Sequence, residues 1–164
     1  MEVVDYNSEN ASLEFATSLR ETGFAVLKNF PIDIKLIDSC YEAWAGFFNE
    51  KEEYKNQFEF TSKTHNGFVS RELSETAKGM KNKDLKEFYH YYISDQCPEN
   101  IRPVTDDLFK QMLSFATELL NWVQQHCPAE VQEKFSMPLS DMIHNSPRNL
   151  LRFINYPPLD GSED

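Results

Sequence analysis

Residues Asn149 to Asp164 read NLLRFINYPPLDGSED, and the fold turns on how that stretch is interpreted. Leu150, Leu151, Phe153 and Ile154 form a short apolar run of strand type, interrupted by Arg152 and Asn155. Tyr156-Pro157-Pro158 closes the strand, because proline has no N–H to give to a sheet ladder, and Leu159-Asp160-Gly161-Ser162 is turn chemistry. A strand laid down at the end of 164 residues, followed by a turn that leads nowhere, predicts that its partners lie in further sequence and that it is unpaired within this chain.

A second stretch has the same character. In Asp84 to Ser94, DLKEFYHYYIS, residues Phe88, Tyr89, Tyr91, Tyr92 and Ile93 are aromatic or β-branched, and this favours a strand. Period two then places Phe88, His90 and Tyr92 on one face and Tyr89, Tyr91 and Ile93 on the other, with His90 among large rings.

Nearer the start, Val3 to Tyr6 suits a short strand and Ser8 or Asn10 caps a helix carrying Leu13, Phe15, Ala16 and Leu19 until Gly23 ends it. The apolar run Phe24-Ala25-Val26-Leu27 predicts a buried strand. Asp33 opens a second helix whose face is Ile34, Ile37, Tyr41, Trp44, Phe47 and Phe48. Lys51 to Lys63 suits a short helix and loop, His65-Asn66-Gly67-Phe68 a turn, and Ser74 to Lys83 a loop. Pro98 and Pro103 bracket another loop. Thr105 or Asp106 starts the longest helix, with Leu108, Met112, Phe115, Leu119, Leu120 and Val123 spaced by three and four. Pro128 and Pro138 each admit a short helix before the closing strand.

Charge and cysteine usage narrow the class. Sixteen Lys and Arg against 27 Asp and Glu give a net charge of −11, and the cations are scattered, which argues against nucleic acid and anionic membranes as partners. Cys40, Cys97 and Cys127 are odd in number and lack CxxC spacing, no signal peptide precedes them, and a reduced, cytoplasmic setting is expected. Thirteen Phe, seven Tyr and two Trp mark a globular chain of about one domain.

Catalytic motifs are sparse. No nucleophile elbow or P-loop occurs, and none of His65, His90, His126 and His144 begins a His-x-Asp pair. Two carboxylate-x-x-His spacings, Glu87 with His90 and Asp141 with His144, would suit a di-iron helical bundle. A strand around His90 sets residues three apart on opposite faces and removes that geometry. On local grounds, His65 and Arg71 could meet a substrate but read first as a solvated surface turn, His90 reads equally as a packed core imidazole or a contact, and Tyr156 reads as a strand-terminal packing residue.

Taken in order, VVDY, TGFAVLKNFPID, AWAGFFN, HNGF, KEFYHYY, the long helix and RFINYPP resemble the amino-terminal half of the iron(II)/2-oxoglutarate oxygenases related to isopenicillin N synthase. The resemblance spans nearly all of residues 1–164 and implies an α+β fold: the helical and strand part of a double-stranded β-helix, or jelly roll, ending as the core sheet begins. It implies that Tyr156 helps bind 2-oxoglutarate and that His65, Phe88, His90 and, more loosely, Arg71 face the substrate pocket. Many plant members have Asn two residues before this Tyr, where Ile154 stands here, with Asn155 one place later.

The family's iron ligands lie beyond the matching segment, so the resemblance implies that Fe(II) and 2-oxoglutarate serve the complete enzyme and that this chain alone binds neither tightly and is inactive. The expected reaction is hydroxylation or desaturation of a small molecule. The alternative is a non-catalytic interaction module that retains the half-fold. An open strand edge and apolar helix faces predict that the isolated chain self-associates.

Overall fold

The computed structural model describes residues 3–73, 85–93, 95–144 and 146–158. The loop expected from Ser74 to Lys83 lies outside them. The chain divides into two compact units, one formed by Met1–Ile34 and Leu108–Ser146, the other by Lys35–Asp107 and Pro147–Asp164.

In the first unit, β1 (Val3–Asp5) pairs in parallel with β2 (Val26–Lys28), and α1 (Ala11–Thr22) connects them. Gly23 takes φ +77 and returns its N–H to the Leu19 carbonyl, an αL cap that a side chain would strain. Most of α4 (Arg102–Gln125) belongs to this unit and supplies Leu119, Trp122 and Val123 against Val4, Ala11, Phe15 and Leu27. Tyr6 stacks on Trp122 at 5.4 Å, Phe15 meets it edge-on at 5.9 Å, and the Tyr6 hydroxyl donates to Glu118 at 2.7 Å. The strand expected to begin at Phe24 instead begins at Val26, and Phe24 is 70% exposed. A sheet of two strands has too little cover to bury a continuous apolar run.

The second unit holds α2 (Ile34–Phe48, its first residue in the other unit), α3 (Glu52–Lys55), a 3-10 turn (Asn56–Phe58) and an antiparallel sheet in the order β3 (Gly67–Val69), β4 (Glu87–Tyr91), β5 (Leu151–Asn155). Trp44 organises its core. It stacks on Phe153 at 4.2 Å, meets Tyr89 at 4.7 Å and donates its indole N–H to Thr105 Oγ1 at 3.0 Å. Phe47 packs edge-on against Phe68 and Tyr89. The buried face of α2 is therefore Cys40, Trp44, Phe47 and Phe48, whereas Ile34 and Tyr41, expected on it, are exposed.

Three further expectations are corrected. The closing strand is not unpaired: β5 lies against β4 over five residue pairs, from Glu87↔Asn155 to Tyr91↔Leu151. The two aromatic segments share length and alternation, so one pairing matches both faces along the whole strand. The HNGF turn runs directly into β3, which was expected only as turn. The long helix begins at Arg102, not Thr105, because proline fits a first helical turn, where its missing N–H has no partner to lose. Thr105 lies inside the helix, fully buried, donating to the Ile101 carbonyl.

Candidate functional site

Alternation along β4 and β5 gives the sheet two unlike faces. Toward α2 lie Glu87, Tyr89 and Tyr91 with their cross-strand partners Asn155, Phe153 and Leu151. Away from it lie Phe88 and His90 with Ile154 and Arg152, and with Val69 and Gly67 of β3. Of this second set, Phe88, His90, Arg152 and Val69 line a cavity of about 520 Å³ together with Glu59, Phe60, Ser62, Leu73 and Lys86. That volume is in the range of small-molecule sites.

The face toward α2 is held by satisfied polar groups. Lys55 Nζ, buried, donates to Glu87 Oε2 at 2.8 Å and to the Phe48 carbonyl at 3.2 Å, while Asn155 Nδ2 donates to Glu87 Oε1 at 2.9 Å. The Tyr89 hydroxyl donates to the Gln96 carbonyl at 2.9 Å, and that of Tyr91 donates to Asp106. Burial, first of all, holds both phenols well above the ordinary tyrosine range. The fully buried Asn66 is the exception, with neither amide atom hydrogen-bonded among the described residues.

Inside the cavity His90 is the chemical focus. Its ring lies 4.9 Å from that of Phe88 and 5.9 Å, edge-on, from that of Phe60. Nδ1 is 3.3 Å from the His65 carbonyl oxygen, whereas Nε2 is buried without a hydrogen-bond partner among the described residues. Burial, and then the positive charge of Arg152, hold the imidazole below its ordinary pKa. The Arg152 guanidinium sits 5.0 Å over the Phe88 ring. The described lining residues include two cations, Lys86 and Arg152, and one carboxylate, Glu59.

The residues expected at the site are placed unevenly. Phe88 and His90 line the cavity. His65 takes φ +58 on its turn, meets Phe60 edge-on and offers His90 its carbonyl, but its side chain is not part of the lining. Arg71 is exposed and does not line it either, and Tyr92 lies past the end of β4. Tyr156 is 65% exposed, two residues beyond Ile154. Arg152, Phe60 and Lys86 were not anticipated. Arg152 had been read as a break in the closing strand, although period two sets it with Ile154 and Tyr156.

Asn155 is turned to the α2 face and occupied by Glu87, so it does not stand in for the asparagine that many plant relatives carry before the tyrosine. Glu87 and His90 fall on opposite faces, as strand geometry requires. Among the described residues, no group of three or more His, Cys, Asp and Glu comes together in a way that could hold a metal ion. The described residues therefore do not fit an iron site. No helix among them is long and apolar enough to cross a membrane.

An α+β unit with an aromatic and cationic pocket on the open face of its sheet matches a known class. The sequence profile described as non-haem dioxygenase in morphine synthesis N-terminal matches residues 3–119, and the chain belongs to that family, within the iron(II)/2-oxoglutarate oxygenases. Among solved structures it is similar to a Shewanella oneidensis protein described as a candidate oxygenase, with 40% identity, a TM-score of 0.88, and coverage of 100% of this chain and 57% of that one. A Caulobacter crescentus protein described as a candidate 2OG-Fe(II) oxygenase family member follows at 21% identity and TM-score 0.72, covering 98% and 57%. A full-length Neurospora crassa protein, solved in complex with alpha-KG (2-oxoglutarate), shares the fold at 18% identity and TM-score 0.71, covering 96% and 54%. The chain thus spans a little over half the length of these structures. No curated protein matches it.

Proposed function

We propose that residues 1–164 form the amino-terminal part of an iron(II)/2-oxoglutarate oxygenase that oxidises a small molecule, and that the cavity on the open face of β3-β4-β5 is one wall of its substrate site. The observation that carries this is the 40% identity, over all of residues 1–164 and 57% of the other chain, to a candidate oxygenase, combined with a pocket whose buried imidazole nitrogen has no partner among the described residues. The Neurospora crassa protein has also been solved with alpha-KG and thymine, which supports a small-molecule substrate. The open face is where a jelly-roll core would continue, and the protein's setting is cytoplasmic.

In the complete protein iron and 2-oxoglutarate supply the oxidising chemistry. The part played by this chain is to bind and orient. Phe60 and Phe88 exclude water and offer flat surfaces, Arg152 holds oxygen, and His90 fixes a polar edge of the substrate. Tyr156 donates its hydroxyl to the 2-oxoglutarate carboxylate, a neutral donor that adds no charge beside the anion. His65 acts through its carbonyl on His90, and Arg71 meets the substrate only more loosely.

The test is succinate formation from 2-oxoglutarate by the complete protein with iron(II), with Tyr156→Phe and His90→Phe as variants. Succinate above a no-protein control is expected. Losing one hydrogen bond in Tyr156→Phe should weaken 2-oxoglutarate binding by about 3- to 10-fold. His90→Phe should alter substrate turnover and leave iron affinity unchanged. A complete protein that neither binds 2-oxoglutarate by calorimetry nor makes succinate would overturn the reading.

A further inference from the structure

The polar pair at the centre of the cavity specifies more than a small molecule. A backbone carbonyl can only accept a hydrogen bond, so the contact between His90 Nδ1 and the His65 oxygen at 3.3 Å places the proton of neutral His90 on Nδ1. Nε2 is then a lone-pair acceptor, and it is the ring nitrogen that is buried without a partner among the described residues. Directly across the strand pair stands Arg152, which can only donate and has no ion pair among the described residues. Opposite side chains on neighbouring strands lie about 5 Å apart at Cβ, so an acceptor and a donor are set side by side. Gly67, the partner of His90 on the other flank, adds no side chain to compete for the space.

Aromatic surface surrounds this pair. Phe60 and Phe88 flank the imidazole, and the guanidinium lies over Phe88. A ligand that satisfies both groups must present a donor to Nε2 and an oxygen acceptor to the guanidinium, adjacent and in a planar fragment. A carboxylate has the oxygen but no donor, and an alcohol lacks the planar edge. We infer that the site recognises the N–H/C=O edge of an amide, lactam or imide, with His90 accepting from the N–H and Arg152 donating to the carbonyl oxygen.

This inference rests on reading the cavity as the substrate site, and binding measurements on the complete protein separate the two. Succinimide, N-methylsuccinimide and acetate are titrated while the ring nitrogens of His90 and the Arg152 guanidinium are followed by nitrogen-15 NMR. The unliganded protein should show the Nδ1–H tautomer of His90 at neutral pH. Succinimide should bind about fivefold or more tightly than its N-methyl analogue, the consequence of one hydrogen bond, and should shift both residues. In His90→Phe, which keeps a ring between Phe60 and Phe88, that preference should vanish, and Arg152→Met should weaken both imides.

Equal affinities for the two imides, acetate binding as strongly as succinimide, or an Nε2–H tautomer would overturn the inference and leave the cavity a binding site of another kind. No response from the cavity residues to any probe would overturn the substrate-site reading along with it. The tautomer and the three affinities of the unmodified protein decide the matter even where a variant fails to fold.

Discussion

The two faces of the β3-β4-β5 sheet are built from the same strands yet differ in kind. Toward α2, large polar side chains are buried and, Asn66 excepted, their hydrogen bonds are made: Glu87 with Lys55 and Asn155, Tyr89 with Gln96, Tyr91 with Asp106. On the opposite face, among the described residues, His90 Nε2 has no hydrogen-bond partner, Arg152 makes no ion pair and lies over the Phe88 ring, and Ile154 is 46% exposed. A buried polar group left unpaired costs stability, so evolution closes such groups where a face serves only to hold the fold. The contrast separates residues that keep the sheet in place from those that the proposed substrate would meet.

Lys55→Met should test that contrast most severely, since it strands the Glu87 carboxylate in a buried site, and about 3–5 kcal/mol should be lost in urea unfolding at pH 7. The double variant Lys55→Met/Glu87→Leu should recover most of it. A loss below about 1 kcal/mol for the single variant would show that the α2 face does not depend on this pair. Next in size is Gly67→Ala. Gly67 takes φ +119, and a Cβ there would stand 2.5 Å from the Phe58 carbonyl oxygen, so about 1–3 kcal/mol should be lost through backbone strain alone. An unchanged melting temperature would mean that the turn relaxes freely.

Smaller effects belong to the open face. His90 is held neutral in the fold, below its ordinary value of 6.5, chiefly by burial. The unfolded chain therefore takes up the proton first as pH falls, and stability present above the ordinary histidine range is lost on acidification through it. Comparing unfolding at pH 5 and pH 7 should show a smaller difference in His90→Phe than in the parent. An identical difference would remove His90 from the acid sensitivity. Arg152→Met should be the mildest, within about 0.5 kcal/mol in stability, while an NMR titration shows the His90 pKa moving up as its cationic neighbour disappears. A larger loss would mean that Arg152 is structural, and the contrast between faces would fail there.

Much of this was legible from residues alone, and what was not has physical causes. Period two around Phe88 to Tyr91 sorted Tyr89 and Tyr91 from Phe88 and His90 correctly, because alternation is a property of the strand itself. That β5 pairs with β4 was not legible, since register between segments about 60 residues apart belongs to the pair and not to either segment. Arg152 emerged as a pocket residue only when that register set it opposite His90. β3, at three residues, is too short to alternate visibly. His65 and Arg71 were chosen for residue type on a turn, and neither side chain lines the cavity. On α2, hydrophobic spacing found the buried Trp44 and Phe47 but also enrolled Tyr41, 72% exposed, because spacing marks a stripe and not its edges.

Each compact unit is assembled from two separated stretches of chain, with Leu108–Ser146 of one lying between β4 and β5 of the other. During synthesis at roughly 5–20 residues per second, β4 therefore waits several seconds for β5 to be made. Through that interval Glu87 lacks Asn155, Tyr89 lacks Phe153 beside it, and the edge of β4 that will take β5 stands open. The nascent β4 is thus open to mispairing and to chaperone capture until β5 appears, and slow codons placed between residues 108 and 146 would lengthen that interval.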